Sequence, residues 1–170
     1  MKKRMKGFTL VELIVVIAII GVLAAILVPS MMGYVKGSRL KTANSNAKLV
    51  YTTVASVCAD QETQGKVVSG NAKINCSTGA SAAESNNVVD ICGGAIKSAL
   101  SDNGSAAGIA FVDVDKNSVK GTQWVKTAQD EMVGQYPDPA SEYKSGKLYR
   151  DDKEVEIKFG TLSLVTNNNN

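Results

Sequence analysis

The run Gly7-Phe8-Thr9-Leu10-Val11-Glu12-Leu13 joins a basic leader, with Lys2, Lys3, Arg4 and Lys6, to an apolar segment interrupted by one carboxylate. From Leu13 to Val35 no residue is charged. An ionised carboxylate inside an apolar helix costs roughly 2.5–3.5 kcal/mol even on a lenient insertion scale, so Glu12 needs a partner. Cutting the chain after Gly7 creates one. The new α-amine of Phe8 lies one helical turn from Glu12 and reaches either that carboxylate or the Glu12 of a neighbouring subunit. If the leader is cut there, the chemistry is charge pairing between that amine and Glu12; the plainer alternative is a charge near a helix end that snorkels to the interface.

Other reactive residue types are sparse. Cys58, Cys76 and Cys92 suit an oxidising exterior, where the default count is one disulfide and one thiol. Three pairings are open, and a pair containing Cys58 is favoured because it would pin the following loop to a helix. A three-thiolate metal site is the alternative, but the spacings lack paired CxxC ligands and the chain has no His. Asp113, Asp115 and Asn117 alternate like the first ligands of a calcium loop, yet the loop glycine and distal glutamate are missing, so a solvated turn is expected. Trp124, Tyr136, Tyr143 and Tyr149 offer either an aromatic surface for a carbohydrate or solid substrate, or ordinary core and strand residues. Without His there is no nucleophile–His constellation, and no nucleophile elbow or phosphate-binding loop is present. The reading is therefore not an enzyme, and no cofactor is expected.

These residues must be carried by a long helix. Leu13–Val35 alone makes roughly 35 Å of helix, enough to cross a bilayer core. An ordinary secretory signal, cut near Leu23-Ala24-Ala25, fits poorly because the apolar stretch is too long and contains Glu12. Beyond it Leu40, Ala43, Ala47, Val50, Val54 and Val57 recur at three- and four-residue steps, with Lys41, Asn44, Lys48 and Thr52 facing outward. One helix from about Phe8 to Glu62 follows, with Gly21 and Pro29 bracketing a weakened stretch and a kink expected at Pro29.

Residues 63–105, rich in Ser, Gly, Asn and Ala, read as a surface connection holding a short helix over Val88–Leu100, stopped at Asn103-Gly104. The C-terminal third reads as strands: Ile109–Val114, a turn at Asp115–Ser118, and a return over Gln123–Lys126. Further on, Lys147–Arg150 pairs with Glu154–Phe159, whose alternation buries Val155, Ile157 and Phe159. Leu162 and Leu164 fall on the other parity, so Gly160 marks a bulge or turn.

The basic leader, Gly7 before the cut, Phe8 after it, Glu12 and Pro29 at their spacings, and the long apolar run resemble the N-terminus of type IV pilins and the pilin-like pseudopilins. The resemblance covers about the first 35 residues closely. It implies cleavage between Gly7 and Phe8 by a prepilin peptidase, N-methylation of Phe8, and extraction from the membrane by an inner-membrane assembly platform. The product is a helical homopolymer, and Glu12, Gly21 and Pro29 serve its assembly. The implied fold class is α+β, a long helix with an apolar and an amphipathic half on a small antiparallel sheet. Its organisation would be leader 1–7, membrane and filament-core helix 8–35, amphipathic helix 36–62, connecting region 63–108, sheet region 109–166 and tail 167–170. Many members close a C-terminal loop with a disulfide, which this chain, having no Cys after Cys92, does not share.

Four of the 19 Lys and Arg lie in the leader, so the chain after Gly7 carries 15 against 16 Asp and Glu, net −1. Basicity therefore predicts no nucleic-acid partner. The leader cations favour a cytoplasmic N-terminus and an outward C-terminal region, first as a single-pass membrane precursor and then in an extracellular pilus. A pseudopilin of secretion or DNA uptake is the alternative within the family. Major pseudopilins place a Tyr-Pro segment soon after the long helix, whereas Tyr136-Pro137 comes late. A membrane-anchored adhesin is the alternative of another class.

Overall fold

The computed structural model describes residues 8–81, 87–101 and 107–162, with Ser30 described in its backbone alone. The leader with Gly7, the Asn103-Gly104 stop, Leu164 and the tail lie outside the described residues. The chain divides into two compact units between Val35 and Lys36. Helix α1 (Leu10–Thr63) contributes to both and is continuous in its helical assignment through Gly21 and Pro29.

In the first unit every side chain described between Phe8 and Val35 is exposed. Leu10–Pro29 is long and apolar enough to cross a membrane by length and composition.

In the second unit a four-stranded antiparallel sheet is formed in the order β1 (Gly70–Asn75), β2 (Ile109–Asp115), β3 (Ser118–Val125) and β4 (Gly134–Tyr136). One face of it packs on the amphipathic part of α1 and on helix α2 (Asn87–Ala99). Their shared core holds Ala43, Ala47, Val50, Val54 and Cys58 of α1, Val88, Cys92 and Ile96 of α2, and Ala72, Ile74, Ala110, Val112 and Val114 of the strands. Leu40, Ala43, Ala47, Val50 and Val54 are buried as the four-residue stripe predicts. Its last member is Cys58, while Val57 is half-buried. Asn44 is not outward: it donates to the Ala140 carbonyl at 2.8 Å and accepts from the Gln135 N–H at 3.3 Å, tying α1 to the loops of the sheet.

Strand β1 lies inside the segment read as a surface connection. Its Gly/Ser/Asn-rich surroundings hid a strict alternation, Ala72, Ile74 and Cys76 buried against Asn71, Lys73 and Asn75 exposed. The β2–β3 hairpin turns on Lys116 and Asn117, at φ 49° and 63°, which matches the twist of the strands and lets β3 begin at Ser118 rather than Gln123.

A second, three-stranded antiparallel sheet consists of β5 (Glu142–Lys144), β6 (Lys147–Arg150) and β7 (Lys153–Val155). Strand β6 pairs with β7 as expected, but the turn is Asp151-Asp152 alone: Lys153, expected in the turn, opens β7 opposite Arg150. A second core of Leu40, Val125, Met132, Val133, Ala140, Leu148 and Ile157 lies beneath it. The strand expected over Glu154–Phe159 stops at Val155, although Ile157 is buried and Val155 and Phe159 half-buried as the alternation predicts. The backbone beyond is taken by another partner. The Gln123 amide donates to the Lys158 and Thr161 carbonyls at 3.1 and 2.8 Å, and Gly160 N–H donates to Gln123 Oε1 at 2.7 Å. Gly160, at φ 89°, forms the turn, and Leu162 then packs over Gly121.

Candidate functional site

The N-terminal junction is organised by Thr9. Thr9 Oγ1 and the Thr9 N–H donate to Glu12 Oε2 at 2.7 and 2.8 Å, and the Glu12 N–H donates back to Thr9 Oγ1 at 3.2 Å. This is a reciprocal capping box, which satisfies donors at the helix start that have no intrahelical acceptor. The partner found for Glu12 is thus a residue that sequence reading passed over, although Thr9-x-x-Glu12 ahead of an apolar run is the signature of such a cap. Phe8, with an amide rather than an amine nitrogen in the uncut chain, precedes the cap and is 75% exposed. Gly21 has open space where a β-carbon would stand, and Pro29 lies inside α1.

All three cysteines are thiols, each fully buried. Cys58 on α1 and Cys92 on α2 act on one another, and each is among the causes that shift the other's titration. Cys76, one residue beyond β1, instead donates to the Ile74 carbonyl at 3.7 Å. Burial pushes the Cys76 and Cys92 thiols up to about 12 and raises Cys58 as well. Among the described residues no group of three His, Cys, Asp or Glu is placed to hold a metal ion.

Asp113, Asp115 and Asn117 serve the hairpin. Asp115 pairs with Lys120 at 3.5 Å. Asn117 accepts from the Val68 N–H at 2.7 Å and donates to the Lys66 carbonyl at 2.9 Å, fastening the chain after α1 to the β2–β3 turn. The aromatic residues are built into the fold as well. Trp124 is buried and its indole N–H donates to the Ala107 carbonyl at 2.7 Å. Tyr136 meets Tyr51 edge-on with ring centres 4.8 Å apart and lies under Lys48. Lys36 Nζ donates to the Tyr143 hydroxyl at 3.1 Å, a contact that holds the ammonium above its ordinary range.

The prokaryotic N-terminal methylation motif matches residues 2–28. The chain is 41% identical over 59 residues to the type IV major pilin protein PilA of Myxococcus xanthus, covering 35% of this chain and 27% of that protein. It is 37% identical over 70 residues to a type IV major fimbrial protein FimA of Dichelobacter nodosus, covering 41% and 45%. To the fimbrial protein EcpC of Eikenella corrodens it is 54% identical over 43 residues, covering 25% and 28%. The chain thus spans less than half the length of these relatives, and no solved structure matches it. With a methylation motif at its entry to an apolar helix, the chain is similar to type IV pilin and fimbrial subunits over the stretches it shares with them.

Proposed function

We propose that this chain is a structural, non-catalytic subunit of a type IV pilus. On this reading it is cut between Gly7 and Phe8 by a prepilin peptidase, methylated on the Phe8 amine, and polymerised through its apolar helix. The observation that carries the reading is the exposed apolar surface of Phe8–Val35, entered through the Thr9–Glu12 cap. So much contiguous apolar surface is untenable in water and requires either lipid or other helices around it. A bilayer covers it before assembly and copies of the same helix cover it afterwards. The four leader cations hold the N-terminus in the cytoplasm while the second unit lies outside. An inner-membrane assembly platform would move the subunit from one environment to the other.

Hydrolysis of the Gly7–Phe8 amide frees an amine whose positive charge survives methylation. Glu12, already drawn to the helix start by Thr9, is positioned to receive that charge from its own chain or a neighbour. Intact-mass analysis of material sheared from the cell surface should give a chain lacking Met1–Gly7 and carrying one methyl group, in high-mass polymers. An uncut chain, a product beginning near Ala25, or a mature chain found only as membrane-held monomers would overturn the reading, the last in favour of a surface anchor.

A further inference from the structure

We propose that Cys58 and Cys92 are a redox pair that closes into a disulfide joining α1 to α2, with Cys76 remaining a thiol. Cys58 on α1 and Cys92 on α2 share one buried core and lie near enough for each to act on the other's titration, whereas Cys76 donates to the Ile74 carbonyl. Both members of the pair lie, together with Cys76, in one apolar core and are fully buried. The backbone around them is set. Cys58 follows Val50 and Val54 at four-residue steps on the buried face of α1. On α2, Gly93 lies so close to the turn after β1 that a β-carbon there would stand 2.0 Å from the Gly79 carbonyl oxygen, which fixes the neighbouring Cys92.

The bridge closes a ring from residue 58 to residue 92 that contains β1, and so fastens α2 to the long helix. The oxidant is a disulfide, supplied by an exported dithiol oxidase or a small-molecule disulfide. One cysteine thiolate attacks an oxidant sulfur and expels the first oxidant thiolate, leaving a mixed disulfide. The second cysteine thiolate attacks the protein sulfur of that bond and expels the second. Two electrons pass to the oxidant, and the two cysteine protons end on its thiols. Burial keeps both groups protonated in the folded domain, so the exchange takes place before α2 closes on α1.

Access to the oxidant rests on the exported location argued above, and the experiment separates the two. Protein on intact cells is tested for cleavage by added protease, alkylated in denaturant without reductant, and mapped. Expected are an accessible chain, one linked peptide pair containing Cys58 and Cys92, and alkylation at Cys76 alone. An accessible chain with three alkylated cysteines, or with Cys76 in the bridge, overturns the pair and leaves export standing. If the chain is inaccessible, export fails and the full chain refolded in detergent with oxidised and reduced glutathione decides. A Cys58–Cys92 link there supports the pair, and any other product overturns it. In that preparation C58S and C92S should each lower the unfolding midpoint by about 10 °C and abolish its sensitivity to reductant, which C76S should retain. A C76S protein indifferent to reductant would refute the assignment.

Discussion

Gln123 and Gln135 face each other at neighbouring positions of β3 and β4, fully buried, with the Gln123 amide donating to Gln135 Oε1 at 3.0 Å. From this pair hydrogen bonds radiate to the backbone on both sides. Gln123 holds Lys158, Gly160 and Thr161, and Gln135 donates to the Pro137 and Asp138 carbonyls. A chain with no cysteine near its C-terminus thus clips that region to the sheet with two buried amides. In a dry interior such a network is strong when complete and costly when broken.

Gln123→Leu keeps the volume and removes the clip, taking the Gln123 partner from the Gly160 N–H and the Thr161 carbonyl, while the Lys158 carbonyl keeps the Thr161 N–H. It should cost about 2–3 kcal/mol in denaturant unfolding. Hydrogen exchange should show faster exchange at residues 158–162 before any change in the β1–β2 amides. Uniform protection in the variant would show that apolar packing alone holds this segment.

Gly134 lies so close to α1 that a β-carbon on it would stand 2.0 Å from the Ala43 carbonyl. Both groups are backbone, so nothing there yields cheaply. Gly134→Ala should therefore destabilise by more than about 2 kcal/mol. Gly94→Ala, on the exposed side of α2 with open space around it, should stabilise by about 0.5–1 kcal/mol. Equal effects of the two substitutions would contradict the close approach of β4 to α1.

The Thr9–Glu12 cap separates two roles that Glu12 can play. Glu12→Gln keeps an N3 side chain able to complete a capping box and removes the charge, whereas Glu12→Leu removes both. If charge pairing with Phe8 sets the filament register, both variants should be cut at Gly7, fold a normal outer domain and fail to form regular filaments. Glu12→Asp should be intermediate. Regular filaments from Glu12→Gln subunits alone would assign Glu12 to capping the helix instead.

Alkaline stability should follow the buried thiols. In the folded chain Cys76 titrates near 12, raised by burial from the 9.0 of an exposed thiol. Above pH 9 the unfolded chain therefore releases a proton that the folded chain keeps, so stability falls as pH rises between those values. By pH 10 the loss for this one group is about 1.4 kcal/mol. Cys76→Ala should flatten that part of the profile in pH-dependent urea unfolding; an unchanged slope would show that Cys76 is not the group responsible.

The features legible from sequence were those set by spacing along one helix or one hairpin. Val50 and Val54 fall on one face because a helix repeats every 3.6 residues, and Leu13–Val35 can cross a bilayer by length and charge alone. The β6–β7 hairpin was announced by the polar run Asp151-Asp152-Lys153 between two short runs, of which Lys153 joins the strand. Thr9 was legible too, through the Thr-x-x-Glu spacing, which gives Glu12 a hydroxyl three residues away as its partner. What depended on tertiary structure was each contact between residues distant in the chain. Gln123 reads as an ordinary strand residue, and only the folding of residues 158–161 against it gives its amide buried partners and ends β7 at Val155. Asn44 lies on the polar side of the α1 stripe, yet Ala140 and Gln135 draw it inward. Three cysteines distant in the chain are gathered into one core only by the packing of the whole domain. Helix and hairpin periods act locally, whereas the partner of a buried polar or sulfur atom is selected by which surfaces the whole domain presses together.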